Sequence, residues 1–328
     1  MRTRYFSCFE LEQASALIRS SELVAFPTET VYGLGANALD QDAVKRIFLA
    51  KGRPSDNPLI VHISDLSQLN DIARGVSEVA INLINRFWPG PLTIVFPKRE
   101  RVPTEVTAGL DTVAVRLPDH PIAIELIRRA EVPLAAPSAN RSGRPSATTW
   151  QAVAEDLDGR IAGVVCGEPT MFGVESTVVD ATCNPPRVLR PGGVSLEQLA
   201  DVCPSFVPYS GHQLSADCTF ANSPGIRHKH YQPRAKVYLV SACDIGPNRI
   251  AEKSSPGSSC HYIGLRPPAS ETTFDCVLVC ANVEEYAAKL FDFFRKADLS
   301  GAALVCCETV EEVGLGVALL DRIRRASQ

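Results

Sequence analysis

The sequence predicts an α/β protein in two units, a larger domain on a twisted mixed sheet followed by a smaller α/β domain. Three observations carry this. Between Glu10 and Leu189, short apolar strands alternate with amphipathic helices. Several of these strands follow one another with no helix between them, which argues against a purely parallel sheet with helical crossovers. From Asp201 to Arg234 the pattern dissolves among Pro204, Pro208, Gly211, Pro224, Gly225 and Pro233, and strand periodicity resumes after it. The expected organisation is a first domain over residues 1–205, a linker or functional loop over 206–235, and a second domain over 236–328.

In order, strands are predicted at 23–26, 59–63, 92–96, 112–117, 134–136, 163–166, 176–180 and 187–189. Helices are predicted at 10–20, 42–51, 77–87, 121–130 and 149–157. The helix at 42–51 turns Ala43, Val44, Ile47 and Phe48 to the core. Gly52 is a natural residue to end it, and Pro54 prevents its continuation. After the linker, residues 235–240, 276–280 and 302–306 read as strands. Residues 283–297 and 315–326 read as helices, the first with Tyr286, Leu290 and Phe293 at helical spacing. The stretch 253–260 reads as a Ser/Gly/Pro-rich surface loop.

Composition narrows the class. Of 328 residues, 45% are hydrophobic and 21% charged, a globular balance. The longest apolar runs are strand-sized, so no membrane span is expected. Met1–Phe6 carries basic residues with no apolar core behind it, so no secretory signal is expected. The eleven cysteines are scattered without a CxxC pair, which fits reduced thiols in a cytoplasmic protein better than a zinc site or a disulfide framework. A net charge of −4 argues against a general nucleic-acid binder.

Several segments could carry chemistry. Pro27–Gly35 follows a buried strand and contains Gly33 and Gly35. It reads either as a tight turn or as a loop whose backbone approaches a ligand, with Thr30 and Tyr32 presenting hydroxyls. In the segment from Lys51 to Pro58, Lys51 and Arg53 either complement the negative end of the preceding helix or hold phosphates on a loop stiffened by two prolines. In 112–118, strand alternation puts Thr112, Ala114 and Arg116 on one face. Arg116 is then a solvent-facing or salt-bridged residue, or a fork for a carboxylate. In 135–143, Ala136, Ser138 and Asn140 share a face that is small enough to admit a ligand. The 175–180 and 190–193 segments could be ordinary strand ends. No His-Glu-x-x-His, Gly-x-Ser-x-Gly or Cys–His signature is present, and His62 alone among six histidines lies in a core-like strand. Cations and hydroxyls outnumber candidate bases, which suits phosphoryl chemistry driven by positioning and electrostatics.

The pairing of Lys51-Gly52-Arg53 with Ser138-Ala139-Asn140 resembles the KxR and SxN motifs of YrdC-like domains. Pro27–Gly35, Trp88–Thr93, Arg116–Pro118, Glu175–Asp180 and Arg190–Gly193 extend the likeness. Ser223–Tyr231, Gly314–Ala318 and Asp321–Ile323 resemble the long, two-domain form of the threonylcarbamoyl-AMP synthase family, whose second domain is Rossmann-like. The resemblance implies an enzyme that makes L-threonylcarbamoyl-AMP and pyrophosphate from L-threonine, bicarbonate and ATP. Partner proteins would then transfer the product to adenosine 37 of tRNA. It implies a threonine site of Thr30, His62, Arg116, Ala136 and Ser176. It implies ATP contacts from Arg53, Asn57, Thr112, Ser138, Asn140, Ser146, Arg190 and Tyr231, with Lys51 and Arg53 catalytic at the phosphates. Mg2+ would arrive with ATP, with no metal held by the protein itself. Residues 228–233 would cover the site, although Tyr231-Gln232-Pro233 departs from the small residue expected before the proline. Two other readings remain: an RNA-binding module using Lys51, Arg53, Arg141 and Arg144, or at least a weak RNA contact there, and a carbamoyl-phosphate-using relative. The latter would carry zinc-finger and acylphosphatase-like domains that this chain lacks.

Overall fold

The computed structural model describes residues 2–208, 231–241, 259–268 and 274–328. The lid residues expected at 228–230 and most of the loop expected at 253–260 lie outside them. The first domain contains, in chain order, β1 (Arg4–Phe6), α1 (Leu11–Arg19), β2 (Val24–Phe26), β3 (Gly33–Asn37), α2 (Gln41–Lys51), β4 (Ile60–His62), α3 (Leu69–Ile72), α4 (Glu78–Phe87) and β5 (Leu92–Pro97). It continues with α5 (Thr104–Thr107), β6 (Thr112–Arg116), α6 (Pro121–Ala130), β7 (Leu134–Ala135), α7 (Trp150–Leu157), β8 (Gly163–Val165), β9 (Thr177–Asp180), β10 (Arg187–Arg190) and α8 (Leu196–Val202). The second domain has β11 (Lys236–Val240), β12 (Cys260–Gly264), β13 (Cys276–Val279), α9 (Val283–Leu299), β14 (Leu304–Glu308) and α10 (Gly316–Ala326).

Ten strands form one sheet in the order β1-β8-β2-β3-β7-β4-β6-β5-β9-β10. Its neighbours mix parallel pairs, such as β4–β6 and β5–β9, with antiparallel ones, such as β2–β3 and β5–β6. This is the mixed sheet that the helix-free strand connections predict. Among the described residues the second sheet, β11-β14-β12-β13, pairs in parallel throughout, as a Rossmann-like unit requires. No helix among the described residues is long and apolar enough to cross a membrane, and the described cysteines are free thiols.

The α2 helix shows how local chemistry delivers a functional segment. Asp40 caps it, accepting from the backbone N–H groups of Asp42 and Ala43 at 2.9 and 3.1 Å. Ala43, Val44, Ile47 and Phe48 are buried, and Gly52 ends the helix in the left-handed region at φ 63°. Lys51 therefore falls in the last turn, on a buried face.

Two expectations need correction. Gly33 and Gly35 form no positive-φ turn but open strand β3, paired with β2. A Cβ on Gly35 would lie 2.9 Å from the Phe26 ring, so glycine is needed there for close strand packing rather than for turning. Cys260 does not end a loop but begins the buried strand β12. The short elements β1, α3, α5 and α8 also carry too few residues to show a periodicity.

The domains pack tightly. The second core, built on α9, α10 and its sheet, takes in Val31 and Val174 from the first domain. Gly173, at φ +68°, sits so close to α9 that a Cβ there would be 2.3 Å from the Ala288 Cα. Gly173→Ala combines backbone strain with a steric clash, and should destabilise the protein by about 1–3 kcal/mol. A thermal midpoint equal to that of the unsubstituted protein would show that this contact does not constrain the docking.

Candidate active site

One cavity, with about 650 Å3 of non-protein space including its open mouth, gathers most of the predicted residues. Thr30, His62, Arg116, Ala136 and Ser176 line it. So do Arg53, Ser138, Asn140, Ser146, Arg190 and Tyr231. Lys51, Asn57 and Thr112 are not part of its wall.

The sheet supplies the floor. Strands β4 and β6 run parallel with His62 beside Arg116, and β4 pairs on its other side with β7, which leads into Ala136. Arg116 is buried. Its Nη1 donates to Thr30 Oγ1 at 2.9 Å and its Nε to the Gly90 carbonyl at 3.2 Å. Its Nη2 lies 2.6 Å from Glu29 Oε1 in an ion pair whose angles fall outside hydrogen bonding. The Arg116 fork is thus pre-oriented by two loops, one carrying Glu29 and Thr30 and the other Gly90, before any ligand arrives. Thr30 does present its hydroxyl here. Tyr32 does not, because its hydroxyl bonds with the Gly167 backbone at 3.1 Å.

His62 is buried against Phe26 with ring centroids 6.2 Å apart, and its Nδ1 has no protein partner. Burial, reinforced by the Arg116 charge, pushes its pKa down to about 3. It is neutral at physiological pH and can offer a hydrogen bond without adding charge.

The other wall is cationic. Arg53 Nη2 donates to the carbonyls of Asn57 and Pro58 at 3.3 and 3.2 Å, while its Nε has no protein partner. Burial lowers its pKa to about 10, which still leaves it charged. Arg190 donates to the Ser176 carbonyl through Nη2 at 2.9 Å, and Ser176 Oγ also pairs with Thr93 Oγ1 at 2.8 Å. Asn140 donates from Nδ2 to the carbonyls of Arg141 and Arg144 at 2.8 and 2.9 Å, leaving its buried Oδ1 without a protein partner. An unsatisfied buried acceptor on a cavity wall is a binding group in waiting.

Lys51 sits differently from its expected place. Its side chain is buried, and its ammonium donates to the carbonyls of Ser138 and Asn140. It joins the two motifs from beneath rather than facing the cavity. Burial, with the Arg53 charge next, lowers its pKa well below the usual lysine value. Thr112 shares a strand face with Arg116, but it stands at the far end of β6. Strand spacing then separates the two by about 13 Å.

Glu175 is a wall residue that the sequence marks only as part of a strand-end segment. Its Oε1 accepts from Ser146 Oγ at 2.6 Å and its Oε2 from Arg322 Nε at 2.8 Å. Burial pushes its carboxyl up, but the Arg322 and Arg190 charges and these hydrogen bonds outweigh that and hold it at about 2. Tyr231 closes one side. It adopts φ 66°, stacks on Phe291 with centroids 5.1 Å apart, and is followed by Gln232, whose N–H donates to Gly143 at 2.8 Å. Tyr231 and Gln232 thus stand at the cavity rim.

Comparison with known proteins settles the family. The model described as "Telomere recombination", covering Sua5, YciO and YrdC proteins, matches residues 16–192. The model for the threonylcarbamoyl-AMP synthase C-terminal domain matches residues 194–328. The chain belongs to the two-domain threonylcarbamoyl-AMP synthase family. Among family members, the threonylcarbamoyl-AMP synthase of Pyrococcus abyssi is 47% identical over 97% of this chain and 94% of its own length. That of Bacillus subtilis is 46% identical over 97% and 93%. The solved structure of P. abyssi Sua5 complexed with L-threonine superposes with a TM-score of 0.92 at 45% identity, covering 100% of this chain and 98% of that one.

The His62 environment predicts a pH dependence. A folded pKa near 3 against an ordinary 6.5 means that the unfolded chain binds the extra proton first. The stabilisation from a neutral His62 is complete above about pH 6.5 and is lost as pH falls toward 3. His62→Asn should flatten the stability profile between pH 4 and 6.5, as read by thermal unfolding. An unchanged slope would show that His62 is not held neutral.

Proposed function

We propose that this chain condenses L-threonine, bicarbonate and ATP into L-threonylcarbamoyl-AMP with release of pyrophosphate, for modification of adenosine 37 in tRNA. The observation that carries this reading is the division of one cavity. A pre-oriented Arg116 with Thr30, neutral His62 and Ser176 forms one part, and Arg53, Asn140, Ser146 and Arg190 form a polar, cationic part. The first part suits the carboxylate and hydroxyl of an amino acid such as the threonine bound by P. abyssi Sua5. The second suits a triphosphate.

The chemistry follows from this placement. The threonine amine and bicarbonate give a carbamate with loss of water. A carbamate oxygen attacks the α-phosphorus of ATP, a P–O bond to that oxygen forms, and the bond to the β-bridging oxygen breaks as pyrophosphate leaves. Arg53 and Arg190 offset the charge gathering on the phosphates, and little acid–base work is asked of the protein. Mg2+ would enter as part of the ATP substrate. The downstream partners would be threonylcarbamoyl-transfer proteins acting on tRNA. Free thiols are consistent with a cytoplasmic setting.

The position of Lys51 refines its role. Its ammonium ties the Ser138 and Asn140 carbonyls, so it sets the shape of the wall that carries Asn140 Oδ1. Lys51→Ala should reduce pyrophosphate release by about tenfold or more, the scale of losing charged hydrogen bonds worth ~1.5–3 kcal/mol. Undiminished turnover in the folded variant would remove Lys51 from the mechanism. For the reaction itself, pyrophosphate release should require both threonine and bicarbonate. Release that ignored either omission would reject this function.

A further inference from the structure

The reaction as proposed uses no side chain of the second domain, yet two arginines from its helices are buried against the first. Arg322, on α10, has no exposed surface. Besides Glu175, it donates through Nη2 to the Pro191 carbonyl at 2.9 Å and through Nη1 to Asp321 at 2.6 Å. Its guanidinium carbon lies 5.5 Å from the centre of the Tyr231 ring. Arg295, on α9, donates to Asp156 Oδ2 at 2.8 Å and to the Pro145 carbonyl. Asp156 in turn accepts from the Arg141 N–H at 3.1 Å and from the Arg144 guanidinium.

These contacts converge. Arg295 grips residues 141–145, the approach to Ser146. Arg322 grips Glu175, the acceptor for the Ser146 hydroxyl, together with the backbone just after Arg190. The backbone at Gly192 is pressed against Glu175, since a Cβ there would lie 2.3 Å from the Glu175 carbonyl oxygen. The two cavity segments that meet at Ser146 are therefore each tied to the second domain by one buried cation.

Electrostatics gives Arg322 a specific task. Glu175 is an ionised carboxylate on the wall of a cavity proposed to receive a triphosphate. With only the Arg190 charge left against it, that carboxylate would repel the ligand across a poorly solvated gap. We infer that Arg322 is a positioning residue for the nucleotide part of the site. It offsets the Glu175 charge, fixes the Ser146 hydroxyl through it, and lies over the Tyr231 ring. The second domain is thereby a structural part of the ATP site. This rests on the function proposed above.

The test uses the full chain and reads nucleotide binding directly, with α,β-methylene-ATP by calorimetry, alongside steady-state pyrophosphate release. Arg322→Gln should raise the Kd of the analogue and the KM for ATP by roughly tenfold or more, the order expected when a buried charge loses its partner. The KM for threonine should stay within about threefold, below the ~1.4 kcal/mol of a tenfold change. Adding Glu175→Gln to Arg322→Gln removes the carboxylate charge that Arg322 no longer offsets and should restore part of the nucleotide affinity, which a merely structural defect would not do. Hydrogen exchange on the unsubstituted protein is independent of whether Arg322→Gln folds. The analogue should slow exchange in residues 316–326. Unchanged nucleotide affinity in folded Arg322→Gln, equal loss for both substrates, no recovery in the double variant, or unaltered exchange in α10 would each overturn the inference. Analogue binding without threonine-dependent turnover would count against the proposed reaction and leave the role of Arg322 standing.

Discussion

The cavity depends on a buried carboxylate held between two domains. Glu175 is taken out of water, which alone would favour its neutral form. It stays ionised because Arg322 reaches it from the second domain, while the Arg190 charge and the Ser146 hydroxyl act on it from the first. Removing one member of such a pair typically costs about 3–5 kcal/mol, since the other charge is left stranded. The domains cannot separate without that cost. The contact between Gly173 and α9, with room for no Cβ, holds them at the required distance.

The same logic recurs around the cavity. Arg116 is buried against Glu29 and Thr30, and Arg295 is buried against Asp156. Burying these charges in fixed geometry during folding means that little reorganisation remains when substrates bind. Neutral His62 sits beside charged Arg116, so one side of the wall supplies a cation and a polar ring without doubling the positive charge. The resulting site has many donors and few proton-transfer groups, as expected where a phosphoryl group is moved mainly by positioning.

Much of this was legible in the sequence because the groups that face one cavity come from short segments with strong local chemistry. Strand alternation put Ala136 with Ser138, and the glycine stop at Gly52 placed Lys51 and Arg53 at a helix end. Local chemistry misled where neighbours decide. Gly33 and Gly35 look like a turn, and only the Phe26 ring across the strand pair explains them. Lys51 two residues before Arg53 looks like a second phosphate ligand, and only the fold shows that its ammonium holds the Ser138 and Asn140 carbonyls. Thr112 and Arg116 do share a face, but alternation says nothing about which end of a strand meets the ligand. Arg322 and Arg295 had no local signal at all, because no helix pattern states which domain its buried face will meet.

The central claim is that ATP and threonine lie together in this one cavity, in separate and adjoining places. Titrating threonine calorimetrically into the protein, alone and saturated with α,β-methylene-ATP, tests it most directly. The account predicts that one threonine binds per chain in both cases, with affinity equal or greater when the nucleotide is present. Abolition of threonine binding by the analogue would mean that the two ligands compete for the same space, and would contradict it.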